Sequence, residues 1–270
     1  MERPIYINKI HSAFSAEEPE EFNYPGESHD FWEMVFIEKG TVGITAGSRI
    51  FTCLPGTLIF HKPNEFHRIW NAGGSSIRFT IISFSLFGDY ARVLHNKVIT
   101  LTGNAEQLMD SLKKQIGENQ GQNHFLPEAF QSAGIPYGKF CNLLELLLYA
   151  CAETADQSHA QVTGQAAIFT TAVKAMRENI QNPLKAWELA DHLHISLSQL
   201  KRIFRQYAST GVHEYFLKMK MDTARKLLRQ GQSVGAVAES LGFDSPNYFS
   251  AAFKREVGVT PGQYRRKNNA

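Results

Sequence analysis

The hydrophobic period of the chain changes near residue 100. Before that point, short runs rich in β-branched and aromatic residues alternate with turn signals, as in "FWEMVFIEKGTVGIT" and "RIFTCLPGTLIFHKPNEFHRIWNAGGSSIRFTIISFS". Lys39-Gly40, Ala46-Gly47, Pro55-Gly56, Pro63-Asn64 and Gly73-Gly74 punctuate them. Many short strands at such spacing predict a sandwich or barrel. From about residue 104 the period is helical: "AEQLMDSLKKQI" puts Leu108, Leu112 and Ile116 on one face. Residues 117–138 read as a loop. "YGKFCNLLELLLYACAE" reads as a helix with more apolar surface than one face needs, so it is either buried or part of a subunit interface. Residues 154–166 are polar and aperiodic, like a linker, and the rest reads as helix. The expected class is α+β multidomain, with a barrel in 1–103, a helical dimerisation or linker region in 104–160 and an all-α domain in 161–270. Glu17–Glu21 read as part of a solvated N-terminal arm, with an alternative as a partner of the basic C-terminal domain.

The helical third contains one supersecondary unit twice. "ELADHLHISLSQLKRIFRQYASTGVHEYF" (188–216) aligns with "AVAESLGFDSPNYFSAAFKREVGVTPGQY" (236–264). Ala190 and Leu193 match Ala238 and Leu241; Leu200, Phe204 and Tyr215 match Phe249, Phe253 and Tyr264 after a one-residue insertion in the turn. Each unit, at about 186–207 and 234–256, is a short helix, a turn, and a second helix with one apolar and one polar face. Gly242 suits a helix C-terminus because it takes positive φ at low cost. Ser196 and Asp244 or Ser245 can cap the helix that follows. These are the parts of a helix-turn-helix, whose second helix enters the major groove. There Arg, Lys, Gln and Asn can contact base edges bidentately. The candidate DNA-contacting residues are Ser196, Ser198, Gln199, Lys201, Arg202 and Arg205 in the first unit. In the second they are Ser245, Asn247, Tyr248, Ser250, Lys254 and Arg255. The amphipathic stretch 215–230 between the units predicts a helix that spaces them. Trp187, Phe204, Phe249, Phe253 and Tyr264 are read as core.

Charge sharpens this division. The net charge of +2 conceals 14 Lys/Arg against 7 Asp/Glu in 183–270, and 14 Lys/Arg against 19 Asp/Glu in 1–182. A basic end on an acidic body suits a polyanion such as double-stranded DNA. Three cysteines, Cys53, Cys141 and Cys151, form no disulfide or zinc-ribbon pattern, which points to a reducing compartment. The N-terminus has no signal-peptide pattern, and the apolar run around Leu143–Ala152 is too short to cross a bilayer. A cytoplasmic protein without a membrane partner is expected.

"LADHLHISLSQLKRIFRQ" and "RKLLRQGQSVGAVAESLGFDSPNYFSAAFKREVGVTPGQYR" closely resemble the AraC/XylS-type DNA-binding domain over about 168–266. Ser209 departs from that family's pattern, which usually has Gly there; Gly258 keeps it in the second unit. Ala251 and Ala252 make the second recognition helix Ala-rich, which suggests that base reading falls mostly on the first unit and phosphate and shape contacts on the second.

"ESHDFWEMVFIEKGTVGI" and "LPGTLIFHKPNEFHRIWN" resemble the cupin-like barrel of sugar-responsive AraC-type regulators. The resemblance implies a small-molecule sensor, with a sugar favoured as effector, and a homodimeric activator with RNA polymerase as a further partner. His29, Trp32, Glu33, His67 and Arg68 are the candidate ligand-binding residues. His29, Phe31 and Glu33 share one strand face and Trp32 the other, so not all of these can point inward. Metal cupins hold an ion with two histidines and a glutamate from one motif and a histidine from a second. Here that set would be Glu27, His29, Glu33 and His67, able in principle to take a divalent metal. Glu27 replaces the first histidine and the second motif is spaced differently, so no residue is assigned to a metal, no cofactor is expected and no catalytic residue is proposed. The alternatives are a metal-binding cupin enzyme fused to a DNA-binding module, and a constitutive DNA-binding protein whose barrel only dimerises.

Overall fold

The computed structural model of the 270-residue chain describes residues 3–88, 93–94, 97–119, 128–154 and 164–268. It divides into two compact units, Met1–Gln161 and Val162–Ala270. The expected linker at 154–166 lies mostly outside the described residues.

In the first unit eight strands form two sheets. These are β1 (Tyr6–Glu18), β2 (Trp32–Lys39), β3 (Val42–Ala46), β4 (Arg49–Cys53), β5 (Thr57–His61), β6 (His67–Asn71), β7 (Ile77–Phe87) and β8 (Val98–Thr100). One sheet has the order β1-β7-β2-β5-β8 and the other β4-β3-β6. The two are held face to face by Val35, Ile37, Val42, Ile44, Phe51, Ile59, Ile69 and Phe79, all buried. A short antiparallel bridge between Glu27 and His67 joins the segment before β2 to β6.

The outer face of the larger sheet is apolar as well. Ile10, Trp32, Met34, Phe36, Phe60, Ile82 and Phe84 pack there against α1 (Asn104–Asn119), α2 (Glu128–Gln131) and α3 (Ile135–Glu153). Along β2 the alternation is therefore apolar on both sides, as expected of a strand between two cores. The apolar excess of α3 is used here: Phe140, Leu144, Leu147, Leu148 and Cys151 are buried in this cluster. Leu146 stays exposed on the opposite side.

The N-terminal segment is not a solvated arm. Residues 6–18 form the longest strand, paired with β7 from Tyr6↔Phe87 to Glu18↔Ile77, with irregularities between Ile7 and Lys9 and between Ile10 and Ser12. Glu17 meets Lys39 at 3.1 Å and Arg78 at 2.5 Å. Polar side chains concealed the strand in sequence; backbone pairing and helix contacts from far along the chain hold it.

The second unit is helical. α4 (Gly164–Glu178) precedes α5 (Ala186–His192), α6 (Leu197–Ala208), α7 (Val212–Arg229), α8 (Val234–Ser240), α9 (Pro246–Val257) and α10 (Pro261–Asn268). Phe169 of α4, Phe204 of α6 and Tyr215 of α7 meet as rings 5.2–5.8 Å apart. Around the second pair, Phe243, Phe249, Phe253 and Tyr264 form a continuous ring chain. Trp187, expected in the core, is 57% exposed. It occupies the first turn of the short α5, off the face that buries Leu189 and Ala190, and Lys185 lies over its ring.

The doubled unit is visible in backbone detail. His194 N–H reaches Asp191 O and Ile195 N–H reaches Ala190 O; Gly242 and Phe243 repeat this with Glu239 O and Ala238 O. Gly242 has φ 65°, and a Cβ on it would lie 2.1 Å from the carbonyl oxygen of Gln181. His194 adopts φ 54° at the matching position of the first unit. The same contrast recurs after the second helices: Ser209 takes φ 51°, where Gly258 takes 84°.

Candidate functional site

Between the two sheets lies a cavity of about 440 Å³. β1 contributes Ser12 and Phe14, the stretch before β2 contributes Phe22, Tyr24, Glu27, His29 and Phe31, and β2 contributes Glu33 and Val35. β5, β6 and β7 add His61, His67, Arg68, Ile69, Phe79, Ile81 and Ser83. Period-two alternation along β2 puts Glu33 and Val35 on the cavity side, and His29 and Phe31, in the irregular stretch before it, line the cavity as well. Trp32, a sequence-predicted ligand residue, points the other way, into the core against the helices. His29, Glu33, His67 and Arg68 do line the cavity. Ser12, Phe14, Phe22, Phe79 and Ser83 were not anticipated, because β1 looked like an arm and the later strand carried no polar signature beyond Ser83.

The polar side chains gather around Glu33. Its carboxylate lies 3.3 Å from His67 Nε2 and 3.5 Å from His29 Nε2, and it accepts a hydrogen bond from Ser83 Oγ at 3.0 Å. Each histidine is oriented by its other nitrogen. His29 Nδ1 lies 3.0 Å from the Phe31 carbonyl oxygen and His67 Nδ1 3.0 Å from that of Glu65. A carbonyl can only accept, so both Nδ1 atoms carry hydrogen. His67 stacks on His61, and His29 stacks on Phe31, which in turn stacks on His11. Burial pushes the Glu33 carboxyl up, but His67 and His29 outweigh it and hold it well below the usual carboxylate range. Burial alone would lower His67, yet the Glu33 carboxylate raises it. His61 is lowered by burial and by His67. Burial also lowers Arg68, to about 10; its guanidinium donates to Tyr24 O and bonds Asn23. Glu27, His29, Glu33 and His67 each bring one donor atom to a cluster spanning no more than 4.8 Å.

In the second unit the polar faces of α6 and α9 are free of the core. Ser198, Lys201, Arg202 and Arg205 are exposed, and Gln199 is half-buried. Asn247, Tyr248, Lys254 and Arg255 are exposed and Ser250 half-buried; Arg255 pairs with Glu256 at 3.3 Å. Ser196 and Ser245 begin these helices. Each is an N-cap, its Oγ accepting from Gln199 N–H at 3.1 Å and from Asn247 N–H at 3.2 Å respectively, so both hydroxyls are engaged by the fold itself. α7 connects the two pairs, and its buried Lys220 donates to Leu241 O at 2.7 Å and Asn182 O at 3.1 Å. No described helix is long and apolar enough to cross a membrane.

Two family matches cover most of the chain: an AraC-like ligand binding domain over residues 10–133 and a helix-turn-helix domain over 189–267. ArgR of Pseudomonas aeruginosa, an HTH-type transcriptional regulator, is 38% identical over 99 residues, 36% of this chain and 30% of ArgR. The chain thus spans under a third of the length of that relative. YfiF of Bacillus subtilis, an uncharacterized HTH-type transcriptional regulator, is 25% identical over 88% of this chain and 77% of its own. RhaR of Klebsiella pneumoniae, an HTH-type transcriptional activator, is 21% identical over 90% and 88%. With a sensor-type double sheet in one unit and two helix-turn-helix pairs in the other, the chain belongs to the AraC-type family of transcriptional regulators.

Proposed function

We propose that the protein is a ligand-responsive, sequence-specific DNA-binding transcription regulator, not an enzyme. The observation that carries this is the pairing of a cavity between two sheets in one unit with two exposed, cation-bearing second helices in the other. The effector is a sugar-like molecule: aromatic walls from Phe14, Phe22, Phe31 and Phe79 suit a sugar ring, and clustered His, Glu, Ser and Arg groups suit its hydroxyls. The effector acts by binding one arrangement of the protein better than another. A cytoplasmic homodimer would present four helix-turn-helix pairs to two half-sites, and RNA polymerase is the partner through which an activator acts.

The test is twofold. Binding of the full chain to fragments of promoter DNA is measured with and without a panel of mono- and disaccharides, and thermal shift is measured on the same panel. One sugar that raises the melting temperature and changes DNA affinity is expected. Indifference of both readouts to every sugar defeats the sugar assignment. Absence of any salt-sensitive, sequence-selective DNA binding defeats the regulator reading.

A further inference from the structure

We propose that the sensor unit binds one divalent first-row transition-metal ion, held by His29 Nε2, His67 Nε2 and the Glu33 carboxylate, with Glu27 closing the site at the cavity mouth. The first argument is an unmet need. The Nε2 atoms of His29 and His67 are buried and have no hydrogen-bond partner, and His67 is only 4% exposed. Because both Nδ1 atoms donate to carbonyls, both Nε2 atoms are turned toward the same carboxylate, at 3.3 and 3.5 Å. With the Nε2 protons removed, a cation between them can take both nitrogens and the carboxylate as ligands.

The second argument is metric. Bonds of about 2.0–2.1 Å in a tetrahedral site place neighbouring donor atoms about 3.4 Å apart. His67 Nε2 lies 3.3 Å from Glu33 Oε1, His29 Nε2 3.5 Å from Glu33 Oε2 and Glu27 Oε1 4.0 Å from His67 Nε2, and one donor atom from each residue lies within 4.8 Å of the others, so a small inward movement of side chains reaches that spacing. The third is the surrounding scaffold. Histidine ligands donate their second nitrogen to a carbonyl or carboxylate, which fixes tautomer and ring plane; both histidines do so here, and Ser83 Oγ orients Glu33. The backbone bonds between Glu27 and His67, both 2.9 Å, pin the fourth residue beside the second. Two imidazoles with carboxylates favour zinc, iron, cobalt, nickel or manganese over magnesium or calcium.

The ion would make the polar end of the cavity an anchor for an effector with oxygen donors, such as adjacent hydroxyls. That role alone rests on the sensor function proposed above; the ion site does not.

The experiment uses the full chain, stripped with chelator and dialysed. Zn²⁺ and Mn²⁺ are titrated calorimetrically, and Co²⁺ by its visible absorption, which reports coordination number and geometry. One ion per chain is expected, with a rise in melting temperature on loading. His29→Ala, His67→Ala and Glu33→Gln should each weaken binding at least about tenfold, and Ser83→Ala, which leaves all ligands in place, by about tenfold. His213→Ala, on exposed α7 surface, should bind like the parent. The metal-free melting temperature of each variant is compared with that of the metal-free parent, and Ser83→Ala carries the test where a ligand variant fails to fold. No binding by the parent, or binding unchanged in His29→Ala, His67→Ala and Ser83→Ala, overturns the proposal. A sugar response that persists in chelator refutes the anchoring role and leaves the sensor reading intact; metal binding without any sugar response upholds the ion site and defeats the sugar assignment.

Discussion

Glu145 Oε1, on α3, accepts a hydrogen bond from the backbone N–H of Ile7 at 2.9 Å, at the first irregularity of β1. Two neighbours act alike: Tyr149 Oη bonds the N–H of Ile5 at 3.2 Å, and Tyr137 Oη accepts from Ile10 N–H at 3.0 Å, at the second irregularity. An edge strand leaves one row of N–H groups without sheet partners. Here a helix far along the chain supplies side chains for two of them, Ile7 and Ile10, and for Ile5 just before the strand. The glutamate that interrupts the apolar run of α3 is therefore structural.

Glu145→Ala should lower unfolding free energy by about 2 kcal/mol, since it strands a buried donor and leaves a void. Glu145→Gln, which keeps an acceptor, should recover most of that. Urea unfolding with β-sheet circular dichroism and tryptophan emission checks both, and equal losses for the two variants would contradict the assigned contact.

The first helix-turn-helix pair carries left-handed strain that the second avoids. Ser209→Gly should stabilise the C-terminal unit by about 0.5–1 kcal/mol, because relief at φ 51° outweighs the extra chain entropy of glycine. Gly258→Ser should destabilise by a similar amount. Differential scanning calorimetry of the full chain reads both signs.

Arg202 and Lys254 should behave differently on DNA. Arg202→Ala is expected to cost about tenfold to a hundredfold in specific affinity and to relax the preference at one position of the site. Lys254→Ala should weaken all sequences alike and reduce the salt slope by about 1. Selection from randomised sites, followed by titrations at several salt concentrations, separates the two behaviours.

Acid should loosen the edge of the larger sheet. The hydrogen bonds and charges of Arg78, and then Lys39, hold the Glu17 carboxyl down at about 2, from 4.5. Its folded value is depressed, so its contribution is complete above the unfolded value and fades as pH falls from 4.5 through about 2. Glu17→Gln should flatten the stability profile in that window, with the difference small and shrinking in salt because the group is exposed. Denaturant midpoints across the acid range, at low and high salt, are the measurement.

How far the sequence could be read follows from where each interaction lies. The doubled unit was legible because its spacing is local: Ala190 to Ala238 and Phe204 to Phe253 repeat a pattern set within about thirty residues. Part of the cavity lining was legible for the same reason, since local alternation groups His29, Phe31 and Glu33, although only Glu33 lies in β2. β1 was not, because it is held by pairing with β7 and by Tyr137 and Glu145 of α3, none of which any window around residues 6–18 contains. Trp32 and Trp187 misled in opposite directions: one was expected at the ligand and the other, from its apolar period, in the core, while the strand's alternation and α5's short first turn decided both. The capping roles of Ser196 and Ser245 were legible because each stands just before its unit's second helix.

β2 separates two environments by the thickness of a single backbone. Glu33 and Val35 face the cavity, whereas Trp32 and Met34 face the cluster containing Phe140 and Leu144 of α3. Adjacent residues thus belong to different interiors, and a backbone shift at Glu33 toward a bound group is passed, one peptide away, to residues on which α3 rests. The distance from chemical event to mechanical consequence in the sensor is one Cα–Cα step, about 3.8 Å.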